Sequence, residues 1–192
     1  MQCTELVFQD HVILRRALDV LDWMVKTLED GARIEIADVT VILEFLRHFG
    51  DEYHQTMEER VLFPALLRAA PDEASLQQIL SEHVEERALV AGIEEALRFR
   101  RGMDFARNSR RLSVLLRSHL EKEDAVFLYV SERLLSREDD NRIMNELIRE
   151  YRPPEVRMNF SRLEWKYRWK PQGLPLVPVQ SIAKTQVSGS YK

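Results

Sequence analysis

Residues 51–64 read DEYHQTMEERVLFP and place His54 and Glu58 four positions apart. In an α-helix this spacing puts the two side chains on one face, within about 40° of each other. An imidazole and a carboxylate stacked in this way can point at one metal ion. Because a single pair of this kind arises by chance on many acidic helices, its meaning depends on whether the pattern recurs.

The pattern recurs in residues 118–127, SHLEKEDAVF, where His119 and Glu123 have the same spacing. Each pair is preceded by a single histidine at a helix-like position, His11 before the first pair and His83 before the second. This repeated order indicates an internal duplication of a helical hairpin. It supplies six potential metal ligands: His11, His54, Glu58, His83, His119 and Glu123.

Apolar residues recur with helical periodicity along four long segments, which predicts an all-α protein. The expected helices run from about Thr4 to Leu28, Ala37 to Ala69, Asp72 to Arg101 and Asp104 to Leu135. Gly31 and Gly102 are expected to end the first and third helices. Short connections favour an up-down-up-down four-helix bundle, with a short fifth helix at Glu138–Glu150. Pro64 should kink the second helix near Arg60.

The second helix is predicted to turn one stripe of side chains inward, with His54 and Glu58 on it. The other expected members of the stripe are Leu43, Arg47, Gly50, Met57, Val61 and Ala65. Gly50 lies one turn before His54, where a missing side chain could leave room beside a metal. His48 lies about 120° around the helix from His54 and is therefore excluded from the predicted site.

Two glutamates that point at one place from opposite helices would repel each other unless cations lie between them. Two bridging carboxylates can hold two metals, and four imidazoles give each metal two nitrogen ligands. An oxo or hydroxo bridge would bring each metal to about five ligands. Nitrogen and oxygen donors without thiolate favour iron as Fe2+ or Fe3+, with manganese or zinc as substitutes. The sequence therefore predicts a di-iron centre with a position for dioxygen, nitric oxide or peroxide.

The charge is distributed unevenly along the 192 residues. Residues 1–150 carry a net charge of −10 and residues 151–192 carry +6. The first range is long enough for one domain with a sizeable core, and the second is interpreted as a separate tail. The acidic body argues against nucleic acid binding, since phosphate neutralisation needs clustered Lys and Arg.

Cysteine content and hydropathy bear on the compartment. Cys3 is the single cysteine, so no internal disulfide can form. Charged residues interrupt the first twenty positions, and no uncharged run reaches membrane-spanning length. We expect a cytoplasmic protein without a transmembrane segment.

The tail alternates aromatic and basic residues at NFSRLEWKYRWKP, with Trp165, Tyr167 and Trp169 two positions apart. This period favours an extended strand, and the residues from Pro171 onward are expected to form an extended or disordered arm. Four interpretations stay open for the aromatic face: packing on the body, contact with a partner or second subunit, an anionic membrane surface, and single-stranded nucleic acid, which a single short segment on an acidic protein makes the least favoured. Complementary charge favours packing on the acidic body.

The motifs DEYHQTMEERVLFP, SEHVEER and SHLEKEDAVF together resemble the hemerythrin-like (HHE cation-binding) domain family from about Thr4 to Leu135. The resemblance implies a four-helix bundle with a non-haem di-iron centre. Its ligands here would be the same six residues, and Glu58 and Glu123 would be the bridges.

The sequence departs from the oxygen-carrying hemerythrins at one position. Those proteins have a second histidine one turn after the ligand on the third helix, where this chain has Arg87. The departure shifts weight from reversible oxygen transport to sensing, redox or nitric oxide chemistry. Arg15 and Arg87, each four residues after a ligand histidine, could stabilise a bound anion, pair with a bridging glutamate or form a salt bridge at the bundle edge.

Three functions remain open from the sequence. The first is a protein that binds dioxygen, nitric oxide or peroxide in sensing or in oxidative or nitrosative stress defence. The second is a di-iron enzyme that acts on peroxide or nitric oxide or repairs iron-sulfur clusters. The third is iron storage or delivery without catalysis, so the sequence leaves enzymatic turnover undecided.

Overall fold

The computed structural model describes residues 1–69, 74–133, 135–152, 154 and 157–168, and these residues are almost entirely helical, with no strand among them. The α-helices are α1 (Gln2–Glu29), α2 (Ile36–Phe45), α3 (Phe63–Ala69), α4 (Ala74–Arg98), α5 (Gly102–Arg133), α6 (Arg137–Glu150) and α7 (Arg157–Arg168). The all-α prediction is confirmed for this part of the chain.

The connection after α1 follows the sequence prediction. Gly31 has φ +80°, the left-handed conformation that glycine adopts without a Cβ clash. The Gly31 N–H donates to the Leu28 carbonyl, and the Ala32 N–H donates to the Thr27 carbonyl. This hydrogen-bond pattern is a Schellman motif, so Gly31 ends α1 as expected.

The connection after α4 corrects the prediction that Gly102 ends the third helix. Arg100 has the left-handed backbone, with φ 54°, and Gly102 is the first residue of α5. The Arg101 N–H donates to the Ala96 carbonyl, which closes the turn around Arg100. The prediction was wrong because the turn is stabilised by backbone hydrogen bonds that an arginine can also complete.

The second predicted helix is helical over its length but is not one continuous α-helix. Two π-helical segments, Leu46–Gln55 and Glu58–Leu62, lie between α2 and α3. The second segment contains Arg60, where the effect of Pro64 was expected, since Pro64 lacks the N–H that would bond to the Arg60 carbonyl. A π-helix has more residues per turn than an α-helix. The 100° per residue used to predict the inward stripe therefore does not apply in these segments.

Arg47 shows the consequence of the wider turns. It was predicted on the inward stripe, but its side chain is 48% exposed and lies 3.9 Å from Glu52. Gly50, also predicted on the stripe, is buried. Arg47 lies just inside the first π-helical segment, where the helical phase departs from the α-helical one.

Helix α5 packs against both α1 and α4, and buried apolar side chains form two clusters. One cluster contains Leu14 and Leu120, and the other contains Val7 and Phe127. Val7 and Leu14 lie on α1, and Leu120 and Phe127 lie on α5. Each helix therefore passes through both clusters, and the residues between them form a layer at the same level on the two helices.

The predicted fifth helix is confirmed as α6, which begins after Ser136 with a capping box. The Asp140 carboxylate of α6 accepts hydrogen bonds from the backbone N–H groups of Gln2 and Cys3, each at 3.0 Å. A negative side chain at the first N–H groups of a helix is favourable because it satisfies donors that lack intrahelical partners. Helix α6 therefore fixes the start of α1.

The expectation of an extended strand around Trp165 and Tyr167 was wrong, because α7 is helical there. The two side chains consequently lie on different sides: Trp165 is 74% exposed and Tyr167 is 6% exposed. Leu163 and Tyr167 pack into the cluster that contains Leu14, and α7 contacts α1 and α2. Trp169 and the expected arm from Pro171 onward lie outside the described residues.

Among the helices described, none combines the length and the apolar character needed to cross a membrane.

Candidate metal centre

The six predicted ligands meet in the layer between the two apolar clusters. None is more than 2% exposed. They come from four helical segments: His11 from α1, His54 and Glu58 from the π-helical region, His83 from α4, and His119 and Glu123 from α5.

Glu58 faces histidines on both sides with its two different oxygens. Its Oε1 lies 3.8 Å from His11 Nε2 and 3.5 Å from His54 Nε2. Its Oε2 lies 3.7 Å from His83 Nε2. Oε1 therefore faces His11 and His54, and Oε2 faces His83 on the opposite side.

Glu123 has the complementary arrangement. Its Oε2 lies 3.3 Å from His11 Nε2. Its Oε1 lies 3.7 Å from His83 Nε2 and 3.1 Å from His119 Nε2, and these two nitrogens are 3.2 Å apart. Glu58 and Glu123 thus each direct different oxygens towards two pairs of imidazoles.

The hydrogen bonding of these atoms tests whether the cluster fits metal ions. Neither oxygen of Glu58 or Glu123 accepts a hydrogen bond in the part of the chain described, and all four oxygens are buried. Burial of a carboxylate without partners is unfavourable, and bound cations would remove that cost. The potential ligand atoms form two groups, each within 4.8 Å: His11, His54, Glu58 and Glu123, and His83, His119 and Glu123. The residues present therefore fit a pair of metal ions.

The ionisation of the cluster reflects mutual stabilisation of opposite charges. Burial alone would lower the pKa of His119, but the Glu123 carboxylate outweighs burial and raises that pKa to about 9. Burial would raise the pKa of Glu123, but the imidazoles of His11 and His119 hold it well below its ordinary value. Protons on the imidazoles balance the carboxylates, and metal binding would displace these protons.

Each histidine also has a carboxylate at Nδ1, on the side away from the two glutamates. Asp124 Oδ1 lies 2.6 Å from His11 Nδ1, and Glu59 Oε1 lies 2.8 Å from His83 Nδ1. A carboxylate at this nitrogen fixes the imidazole tautomer and leaves Nε2 to face a metal.

His119 has a similar partner at Nδ1, whereas the carboxylate nearest to His54 Nδ1 lies beyond hydrogen-bond distance. Glu82 Oε2 lies 3.1 Å from His119 Nδ1 and also accepts a hydrogen bond from Lys122. Asp10 Oδ2 lies 3.8 Å from His54 Nδ1.

These four carboxylates were not predicted from the sequence, although a signal was present. Each is adjacent in sequence to a predicted ligand: Asp10 to His11, Glu59 to Glu58, Glu82 to His83 and Asp124 to Glu123. Each carboxylate lies against the histidine of the next ligand-bearing helix in chain order, and Asp124 of the last such helix lies against His11 of the first, so the contacts form a ring. Adjacency alone did not reveal this ring because helix neighbours are set by the fold.

Arg15 and Arg87 form salt bridges with the outer carboxylates, which is one of the three alternatives that the sequence left open, and neither pairs with a bridging glutamate. Arg15 Nη2 donates to Asp124 Oδ2 at 2.5 Å. Arg87 donates to Glu59 Oε1 at 2.8 Å and to Asp51 Oδ1 at 2.6 Å. The half-buried guanidinium groups hold the carboxylates that orient the histidines.

The two sides of the cluster differ in their surroundings. Phe63 stacks on His83, and Phe127 lies 6.2 Å from the His11 ring, which closes one side with aromatic rings. On another side a cavity of about 180 Å³ reaches His54 and His119, and Gly50 lines it. A Cβ at Gly50 would meet Leu14 Cδ2 at 3.6 Å, an ordinary contact.

His48 is separate from the cluster. Its side chain is 36% exposed, and its Nδ1 lies 2.6 Å from the Glu52 carboxylate.

The fold and the buried cluster define a helical protein with a candidate metal-binding core. The sequence matches the model of the hemerythrin HHE cation binding domain over residues 4–130, more than half of the chain. The chain belongs to that family, which confirms the resemblance carried by its motifs. No protein with a curated description matches the chain, and no solved structure matches it.

Proposed function

We propose that the protein is a non-haem di-iron protein that binds dioxygen, nitric oxide or peroxide in sensing or in oxidative or nitrosative stress defence. The observation that carries the proposal is the orientation of Glu58 and Glu123, each with different oxygens towards two pairs of imidazoles. This arrangement suits carboxylates that bridge two metals.

The six proposed ligands divide between two metal positions. One iron would be held by His11 and His54, and the other would be held by His83 and His119. Both irons would be held by Glu58 and Glu123. Nitrogen and oxygen donors without thiolate favour iron over softer metals, with manganese or zinc as substitutes. When bound, the irons would supply electron transfer and a coordination position for the ligand.

The surrounding residues have their own roles in the proposal. The outer carboxylates at His11, His83 and His119 orient these rings through Nδ1, and the apolar clusters keep bulk water from the centre. An up-down-up-down order of four main helices is part of the proposal. It is supported by the short connection from Phe99 to Arg101 and by the packing of α5 against α1 and α4.

The first test is the metal content per chain of aerobically purified protein, together with its near-ultraviolet and visible spectrum. We expect about two irons per chain and the charge-transfer bands of an oxo- or hydroxo-bridged pair. Reversible ligand binding without turnover would support the proposal. Sustained peroxide or nitric oxide consumption would favour a di-iron enzyme instead, and ready loss of iron to an acceptor would favour storage or delivery.

A pair of variants tests the ligand assignment. His119→Ala removes a buried imidazole of the cluster and should lower the metal content, whereas His48→Ala removes an exposed one and should leave it unchanged. Metal content is measured by elemental analysis after identical loading. Equal losses in both variants would contradict the assignment.

A further inference from the structure

The cavity beside the cluster contains a buried polar pair that the metal centre does not use. Gln55 is 6% exposed and Glu86 is 3% exposed, and both line the cavity with His54 and His119. Gln55 Nε2 donates a hydrogen bond to Glu86 Oε2 at 2.6 Å. The pair comes from two elements, the first π-helical segment and α4.

One acceptor oxygen remains on each member of the pair. Gln55 Oε1 and Glu86 Oε1 are both buried, and neither accepts a hydrogen bond from the described residues. Glu86 Oε1 lies 3.6 Å from His119 Nδ1, but that nitrogen has a closer partner in Glu82 at 3.1 Å. Two residues of the cavity lining therefore each hold an acceptor oxygen without a hydrogen bond.

The two arginines of the cavity wall pair with other acidic side chains. Arg87 donates to Asp51 and Glu59, and Arg47 lies 3.9 Å from Glu52. Much of the remaining wall is apolar, with Leu14, Leu46, Val90, Leu112 and Leu116. In such surroundings a carboxylate repels an anion more strongly than it would in water.

We propose that Gln55 and Glu86 select the ligand that reaches the centre, favouring a small uncharged hydrogen-bond donor, hydrogen peroxide, over anions. The inference rests on the proposed function and narrows its ligand. Of the three ligands named there, hydrogen peroxide alone carries O–H donors, and its two donors match the two free acceptor oxygens. A ligand that satisfies buried acceptors is favoured over one that leaves them unpaired.

The first experiment measures azide binding to the iron-loaded protein by visible absorption. Glu86→Gln keeps the shape, removes the negative charge and adds an N–H donor. Its azide dissociation constant should fall by about tenfold. The control is Glu94→Gln, a carboxylate of the same helix and the same cavity wall but not of the buried pair, whose constant should stay within about twofold of wild type.

Unchanged azide affinity in Glu86→Gln, or an equal change in Glu94→Gln, would overturn the inference. The second variant, Gln55→Met, removes one acceptor and also the N–H donor to Glu86 Oε2, and it leaves the formal charge of the side chain unchanged. It should slow the reaction of the loaded protein with hydrogen peroxide while leaving azide affinity near that of wild type. If Gln55→Met reacts with hydrogen peroxide as fast as the wild-type protein does, the proposed role of Gln55 and Glu86 is contradicted.

A measurement without metal separates this inference from the proposed function. Crystals of the metal-free protein are soaked in hydrogen peroxide, and a two-atom density within hydrogen-bond distance of both Oε1 atoms is expected in wild type but not in Gln55→Met. Water alone at this position would overturn the inference. Failure of the wild-type protein to load iron would contradict the proposed function, and the soak would still decide the role of the pair.

Discussion

At the scale of single residues, the centre depends on carboxylates with two different tasks. Glu58 and Glu123 face the Nε2 atoms of the histidines, whereas acids such as Asp124 face the Nδ1 atoms. The pKa of Asp124 illustrates the second task. Burial would raise it, but the contacts with His11 and Arg15 together outweigh burial and hold this pKa below its ordinary value.

Asp124→Asn should weaken metal binding without removing a ligand. The amide cannot hold the His11 Nδ1 proton as a carboxylate does, and Arg15 loses its partner. Loss of such a contact lowers metal affinity by about 10- to 100-fold in metal sites. The measurement is competition with a chromophoric chelator.

Asp30→Asn is the matched control, because Asp30 is an exposed aspartate that pairs with Lys26 far from the cluster in sequence. It should bind metal as the wild-type protein does. If both variants lose affinity equally, or if neither does, Asp124 has no orienting role.

At the scale of secondary structure, the π-helical segments lie where the second predicted helix supplies its two proposed ligands. His54 is in the first segment and Glu58 begins the second. Such segments occur frequently at functional sites, where they change the direction of side chains within a helix. Despite the wider turn, His54 Nε2 and Glu58 Oε1 remain 3.5 Å apart, so the four-residue spacing still brings the pair together.

Helix α7 is attached to the rest of the protein through a buried carboxylate. Asp38 is 1% exposed, accepts a hydrogen bond from the Tyr167 hydroxyl at 2.7 Å and pairs with Lys166. Arg16 and Glu164 form a second link between α1 and α7. The Lys166 contact joins a basic residue of α7 to an acidic residue of α2, whereas the Arg16–Glu164 pair joins a basic residue of α1 to an acidic residue of α7.

Tyr167→Phe should lower the free energy of unfolding by about 1–3 kcal/mol, because it removes a hydrogen bond to a buried charged group. Trp165→Ala should change it by less than about 0.5 kcal/mol, since Trp165 lies on the exposed side of the same helix. Urea unfolding followed by circular dichroism measures both. A larger loss for Trp165→Ala than for Tyr167→Phe would show that α7 docks by a different face.

At the scale of the whole molecule, a charged layer separates two apolar clusters. The layer places the Glu58 and Glu123 carboxylates in the interior, where they accept no hydrogen bond from the described residues and their loss of hydration opposes folding. A protein that keeps such groups together gives up stability for a binding site. Bound cations would recover that stability, because they bind the folded state and have no comparable site in the unfolded chain.

Metal removal should therefore destabilise the protein. At free metal near one hundred times the dissociation constant, binding stabilises the folded state by about 2.7 kcal/mol. We expect the loaded wild-type protein to melt at a higher temperature than the chelated protein, by differential scanning calorimetry. Both forms of His119→Ala should melt at nearly the same temperature. Identical melting of loaded and chelated wild type, with metal shown to be bound, would contradict this account.

Much of the fold and of the candidate centre could be predicted from sequence because both depend on short-range periodicity. The spacing of His54 and Glu58, repeated at His119 and Glu123, identified side chains that share one face of a helix. Gly31 ended a helix as expected because its backbone preference is intrinsic. The same reasoning gave a wrong prediction for the tail. Alternation around Trp165 indicated a strand, but the segment forms a helix that buries one side against the body and exposes the other.

The sequence by itself determined the helical class, the family and the six side chains that can share one layer, since each follows from spacing within a helix or from a repeated motif. Only the tertiary structure decided which acid supports which histidine, where Arg15 and Arg87 bind, and that Gln55 meets Glu86 across a cavity. The physical reason is that these contacts join residues of different helices. Their distances depend on how the helices pack, which no local periodicity encodes.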